Sequence, residues 1–173
     1  LYGWRSKVSK YSIILGAAIH MIDLITWFIS ERPIYVTAFG SDRFTNRTVF
    51  KKKNNVILIL EFKNNIIAKV NANALARHPH FHAVKIFQED KTLINDIAGS
   101  YIVTENNKIK INKNYPDKKN RKNLIRNYID NIFLKKKFSF FKKVLKQQID
   151  LMSISLAAEK SLMKKKKIKI KYL

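Results

Sequence analysis

The sequence has no cysteine and only four glycines, and each shortage excludes a class of chemistry. Without cysteine the chain has neither disulfides nor a reactive thiolate, which suits a reducing interior and predicts a cytoplasmic protein. The glycines, Gly3, Gly16, Gly40 and Gly99, are too far apart to form the G-x-G-x-x-G turn that cradles a dinucleotide phosphate. We therefore expect no phosphate-binding glycine loop within these 173 residues.

Negative charge and arginine are also scarce. The chain has 12 acidic residues against 35 basic ones, a net charge of +23, but only seven of the basic residues are arginine. A strongly positive chain attracts nucleic acid and anionic lipid, yet arginine is the residue that grips phosphates bidentately, and no nucleic-acid motif accompanies the lysines. The excess of lysine, asparagine and isoleucine resembles codon bias in an AT-rich genome. Nucleic-acid binding is thus an alternative that we do not favour.

The chain contains enough apolar sequence for the core of one domain, since 46% of it is hydrophobic. A helix, a series of β-type segments, two further helices and a final alternating "KIKIKYL" follow in order, which predicts an α+β fold. Short turns between the segments permit only antiparallel neighbours, so we expect one large, predominantly antiparallel sheet with helices packed on one face. The predicted strands are 34–40, 47–52, 56–62, 66–74, 82–88, 92–96, 101–105 and 108–112.

Both later helices are expected to be amphipathic. The first has an apolar face of Leu124, Ile125, Tyr128, Ile129 and Ile132. The second runs from Val144 to Met163, with Leu145, Ile149, Met152, Leu156 and Ala157 predicted on its apolar face.

The first helix, over residues 12–30, combines an apolar pattern with two ionisable residues. Its length approaches that needed to cross a bilayer, but His20 and Asp23 lie near its centre and are costly in lipid, so we expect no membrane span. Gly16, His20, Asp23 and Trp27 are spaced i, i+4, i+7 and i+11, which places them on one stripe. Two interpretations remain open from spacing alone: a satisfied pair bonded to each other, or a histidine tuned as a proton donor and acceptor.

The stretch "GWRSKVSKYSIILGAAIHMIDLITWFISERPIYVTAFG" resembles the start of the C-terminal domain of the Gfo/Idh/MocA family (glucose-fructose oxidoreductase, inositol dehydrogenase and MocA-like proteins). That domain typically runs from WR through a glycine-rich turn to D-x-G-x-H-x-I-D on a helix, then a tryptophan and a proline-led strand. The resemblance continues through "VILILEFKNNIIAKVNANA", "VKIFQEDKTLIND" and "LIRNYIDNIFLKKKFSF" to "SISLAAEKSLMKKKKIKIKYL". It accounts for essentially the whole chain by order and spacing.

The resemblance implies an NAD(P)-dependent oxidoreductase acting on a hydroxyl of a sugar, sugar nucleotide or cyclitol. Residues 1–173 would be its C-terminal substrate-binding and oligomerisation domain, and NAD or NADP would be held mainly by an N-terminal Rossmann domain. Neither the glycine-rich turn nor the family's Glu-Lys-Pro lysine is in this chain, which also begins with Leu1, so we interpret it as a fragment that is inactive alone. A broad sheet face that is apolar on the side away from the helices would predict a homo-oligomer formed through sheet packing.

By the same resemblance, His20 aligns with the histidine that serves many members as acid and base for the substrate hydroxyl. Asp23 aligns with an acidic position that binds substrate or orients the histidine. Trp4 and Arg5 precede the helix at the expected mouth of the cleft, where they are predicted substrate contacts; the alternative is a surface cation beside a packing aromatic. The family commonly has aspartate where this chain has Gly16, which removes a hydrogen-bond acceptor and an anionic neighbour of the histidine. This departure allows a subgroup with altered chemistry.

A second group of histidines, in "RHPHFH", places His78, His80 and His82 at alternate positions. Adjacent same-face residues on one strand seldom converge on one ion, so we do not favour a metal site. The resemblance implies that the strand leading to these histidines approaches the substrate cleft, so we expect substrate contact by one of them, His80. The alternative from another class is a non-catalytic binding or assembly module, the surviving half of a broken gene.

Overall fold

The computed structural model describes residues 7–8, 11–45, 53–77, 82–111, 118–133 and 138–173. It divides into two compact units, Leu1–Ala76 with Phe141–Leu173, and Arg77–Phe140. The predicted α+β class with antiparallel strands is confirmed. The expectation of a single large sheet is corrected, because the described strands form two sheets of four strands each.

The first unit begins with a helix that changes its winding. Residues Ile14–Ala18 form a π-helical turn, in which the N–H of Ile19 bonds to the carbonyl of Ile14, and α1 follows over Ile19–Ile29. The helix ends where "SERP" predicted, since Ser30 adopts a left-handed conformation with φ of 58° and bonds back to Thr26 at 2.9 Å. The end of α1 is thus determined locally.

The sheet of the first unit has the strand order β3-β2-β1-β8, and every pairing in it is antiparallel. Asn64 and Asn65 adopt left-handed conformations in the tight turn between β2 and β3, which asparagine tolerates better than most residues. The register pairs Ala38 with Leu58 and Leu58 with Val70, so these three side chains lie on one face. The strands are β1 Tyr35–Ser41, β2 Asn55–Glu61, β3 Ile67–Asn73 and β8 Ile168–Lys169.

The core of this unit lies between one face of the sheet and two helices, α1 and α3 (Phe138–Lys164). Alternate residues of the strands are buried, as period-two sequence patterns require. The predicted packing of helices on one face is therefore confirmed for this sheet. The buried apolar residues are Ile13, Ile14, Ala18, Ile22, Val36, Ala38, Val56, Leu58, Leu60, Phe62, Val70, Ala72, Leu151, Ile154, Ala157, Ala158 and Ile170.

The predicted apolar face of α3 is correct at Ala157, which is buried, but is wrong for three of its five residues. Leu145, Met152 and Leu156 are exposed, while the buried side carries Ile154, Ala158 and three serines, Ser153, Ser155 and Ser161. Ser153 and Ser155 donate to carbonyls one turn earlier, at 2.9 Å each, so their hydroxyls need no other partner. Small side chains on this face allow the helix backbone to approach the sheet closely, which hydrophobicity alone does not reveal.

The second unit contains a meander of four short strands, in the order β4-β5-β6-β7, and the helix α2. The apolar residues of α2 follow the predicted spacing, and Leu124, Ile125 and Ile129 are exposed. The predicted strand 47–52 lies outside the described residues. The bounds are β4 Val84–Phe87, β5 Thr92–Asp96, β6 Gly99–Val103, β7 Lys108–Ile111 and α2 Lys118–Phe133.

Candidate active site

The exposed side of the first helix carries the predicted stripe. Gly16, His20, Asp23 and Trp27 are all exposed, with Trp27 at 70%, while Ala18 and Ile22 on the opposite side are fully buried. The buried side fixes the helix against the sheet, so the stripe is presented on a rigid element. This arrangement follows from the i, i+4, i+7 and i+11 spacing in the sequence.

His20 and Asp23 are not a bonded pair. Within the described part of the chain, neither a hydrogen bond nor an ion pair joins the two side chains. Asp23 takes part in the helix through its backbone carbonyl, which accepts a hydrogen bond from the Thr26 hydroxyl at 2.8 Å. Both functional groups therefore remain directed to solvent, where a ligand can reach them.

Gly16 lies in the middle of the π-helical turn, under the ring of Tyr11. A Cβ atom at position 16 would lie 2.5 Å from both Cε2 and Cζ of that ring, and closer still to its hydroxyl oxygen. No side chain fits at position 16 while the ring is there. Sequence analysis missed Tyr11, because its five-residue separation from Gly16 matches no helical period.

Most of the other predicted site residues lie outside the part of the chain that the structure describes. Trp4, Arg5 and His80 lie outside the described residues, as does His78. His82 is half-buried, and its backbone carbonyl accepts a hydrogen bond from the Asn95 amide at 3.0 Å. Among the described residues, no three His, Cys, Asp or Glu side chains are grouped to hold a metal ion.

A second polar cluster, which the sequence analysis did not predict, lies in the first unit. Arg32, just after α1, forms an ion pair with the buried Asp150 of α3, and its guanidinium lies 5.1 Å from the centre of the Tyr172 ring. The Tyr172 hydroxyl donates to the Pro33 carbonyl at 2.6 Å. Burial and then the charge of Asp150 raise the pKa of Tyr172, while Arg32 opposes them. This cluster ties three distant segments together and is a structural feature.

A surface cavity of about 480 Å³ lies along α2. Its lining residues are Lys122, Asn123, Ile125, Arg126, Ile129 and Asp130.

No helix in the described ranges combines the length and the apolar character that a bilayer crossing requires.

Comparison with known protein families shows the family to which this chain belongs. A family model for the GFO/IDH/MocA C-terminal domain matches residues 2–94, more than half of the chain. This chain therefore belongs to the Gfo/Idh/MocA family, as the resemblance of its sequence predicted. A comparison with curated proteins found no match.

Solved structures give the same result for the fold. A levoglucosan dehydrogenase, in complex with NADH and levoglucosan, superposes with a TM-score of 0.75 over 99% of this chain and 54% of its own, at 11% identity. The myo-inositol 2-dehydrogenase of Lactobacillus plantarum superposes with a TM-score of 0.73, over 96% and 51%, at 14% identity. The UDP-N-acetylglucosamine 3-dehydrogenase of Acidithiobacillus ferrooxidans has a TM-score of 0.68, over 88% and 48%, at 17% identity. The chain thus spans about half the length of these dehydrogenases.

Proposed function

We propose that residues 1–173 are the substrate-binding and assembly domain of a cytoplasmic NAD(P)-dependent oxidoreductase. Its substrate is a sugar, sugar nucleotide or cyclitol, which loses hydrogen from a carbon that bears a hydroxyl. Membership of an oxidoreductase family and the fold shared with sugar and cyclitol dehydrogenases support this proposal. The exposed stripe of the first helix is the single observation that assigns this function to particular residues.

His20 is the proposed acid and base. Imidazole changes its charge near neutral pH, so a solvent-facing histidine can accept the proton of a substrate hydroxyl and return it in the reverse reaction. One turn further along the stripe, Asp23 is the proposed partner of a neighbouring hydroxyl, because a carboxylate accepts two such hydrogen bonds. Trp4, Arg5 and His80 remain predicted substrate contacts.

The dinucleotide would be held elsewhere in the full-length protein. When bound, NAD(P) supplies the hydride acceptor in this class of reaction. The chain has no glycine-rich turn, and all strand pairs among the described residues are antiparallel, unlike the parallel sheet of a dinucleotide-binding fold. The residues present therefore do not fit this group, and their proposed task is to bind substrate and manage its proton.

The test is turnover by the full-length gene product with NAD⁺ or NADP⁺ and a panel of sugars, cyclitols and UDP-sugars. We expect His20→Ala to lower kcat by about 10²- to 10⁴-fold, while cofactor binding stays unchanged. Asp23→Asn should mainly raise KM, and Glu31→Gln, a carboxylate change just beyond the helix, is the matched control. An inert wild-type protein would favour the non-catalytic assembly module instead.

The open face of the first sheet supports assembly with a second copy. Phe39 is 60% exposed and Ile67 is 68% exposed, and Ile57 and Ile59 lie between them on the face that no described helix covers. This face also carries Lys69 and Asn71, and its exposed apolar side chains favour sheet-to-sheet packing. Light scattering should show an oligomer that Ile67→Lys dissociates. Phe87→Lys, at an apolar residue of the second unit that is 78% exposed, is the control and should leave the mass unchanged.

A further inference from the structure

The ring of Tyr11 occupies the space that a side chain at position 16 would need. Two of its ring carbons lie 2.5 Å from the Cβ position of Gly16, and the hydroxyl oxygen is nearer. The phenol oxygen is consequently located where a functional group attached to residue 16 would begin. Residues four apart on a helix are neighbours, so this oxygen lies about one turn from His20, on the exposed stripe.

The local backbone is adapted to this contact. Glycine is a poor helix former, but any Cβ at position 16 would collide with the ring, so the helix accommodates Tyr11 only with glycine there. The same glycine lies within the π-helical turn Ile14–Ala18, immediately before the turn that carries His20. Single π-turns are rare in proteins as a whole, and those that occur are often found at functional sites.

We propose that the Tyr11 hydroxyl is a substrate-binding group of this site, supplying beside His20 the polar atom that Gly16 lacks. A phenol both donates and accepts a hydrogen bond, so it can hold a substrate hydroxyl while His20 takes the proton of that group or of its neighbour. This assignment rests on the function proposed above.

The deciding experiment removes the hydroxyl and keeps the ring. In the full-length gene product, Tyr11→Phe should raise KM for the best sugar substrate about tenfold. Tyr101→Phe is the matched control, since its hydroxyl bonds only to the Ala98 carbonyl, at 2.7 Å, in the second unit. Its KM should remain that of the wild type.

A second pair of variants tests the position of the oxygen. Gly16→Ala should displace the ring and raise KM although Tyr11 is intact. Adding Gly16→Ser to Tyr11→Ala places a hydroxyl at position 16 without a collision and should recover part of the affinity lost in Tyr11→Ala alone. If Tyr11→Phe keeps the wild-type KM, the ring is only packing and this assignment is wrong. A wild-type protein that turns over nothing in the panel overturns the proposed function and this assignment together.

Discussion

The hydroxyl of Ser161, in α3, accepts a hydrogen bond from the backbone N–H of Ala38, in β1, at 2.9 Å. The same hydroxyl donates to the carbonyl of Lys166 at 2.7 Å, just after the helix. Because β8 pairs with β1 only at Tyr35 and Val36, the serine supplies the acceptor that a longer strand would give Ala38. One side chain thereby joins the end of α3 to the edge of the sheet.

Ser161→Ala should therefore destabilise the protein more than an ordinary serine truncation. It leaves a buried N–H and a carbonyl without their partner, which costs about 1–3 kcal/mol. Ser155→Ala is the matched control, because Ser155 is equally buried but bonds only to the Leu151 carbonyl of its own helix. Urea unfolding monitored by circular dichroism measures both changes, and equal losses would contradict the bridging role of Ser161.

Stability should depend on Tyr172 at alkaline pH. Burial raises the pKa of Tyr172 above its ordinary value, so the folded state favours the neutral phenol. Its contribution is fully present below about pH 10, the ordinary tyrosine value, and is lost as the pH rises above it. Urea unfolding between pH 8 and pH 11 should show a steeper loss in wild type than in Tyr172→Phe. Parallel profiles would show that this phenol does not ionise on unfolding.

Adjacent residues of β2 should respond differently to truncation. Leu58 is fully buried in the core, whereas Ile57 is directed to the open face of the sheet. Leu58→Ala should cost about 2–5 kcal/mol, because it leaves a cavity, and Ile57→Ala should cost much less. Chemical unfolding at one protein concentration compares the two, and a larger loss at Ile57 would reverse our assignment of the faces.

A substitution in the turn between β2 and β3 tests the backbone conformation without changing the packing of the core. Asn65 is exposed and adopts a left-handed conformation, with φ of 60°. A β-branched residue is strained there, so Asn65→Val should destabilise the protein by about 1–2 kcal/mol, while Asn65→Gly should have little effect. Thermal unfolding measures this difference. Similar melting temperatures for the two variants would show that the turn relaxes to another conformation.

Local patterns predicted most of the elements. The β-branched apolar run in "VILILEF" and the stop in "SERP" are properties of neighbouring residues, and β2 and the end of α1 lie where these patterns place them. The stripe of Gly16, His20, Asp23 and Trp27 also follows from spacing alone, because a helical period fixes which residues share a side.

Contacts between distant segments were not predictable in this way. Hairpin turns select neighbouring strands but do not determine whether β3 and β4 pair, so one sheet was expected where the described strands form two. The predicted face of α3 was wrong at Leu145, Met152 and Leu156, because hydrophobicity favours leucine and methionine, whereas close approach to the sheet favours alanine and serine.

The periodicity of this chain was sufficient for its α+β class and for the side of α1 that holds His20, and its family was indicated by the resemblance of its motifs and their order. The placement of the Tyr11 ring over Gly16, the Ser161 bridge and the ion pair of Arg32 with Asp150 came from packing. Each of these contacts joins residues whose separation matches no helix or strand period. Their positions depend on how the helices dock on the sheet, which is a property of the whole fold and not of any short segment.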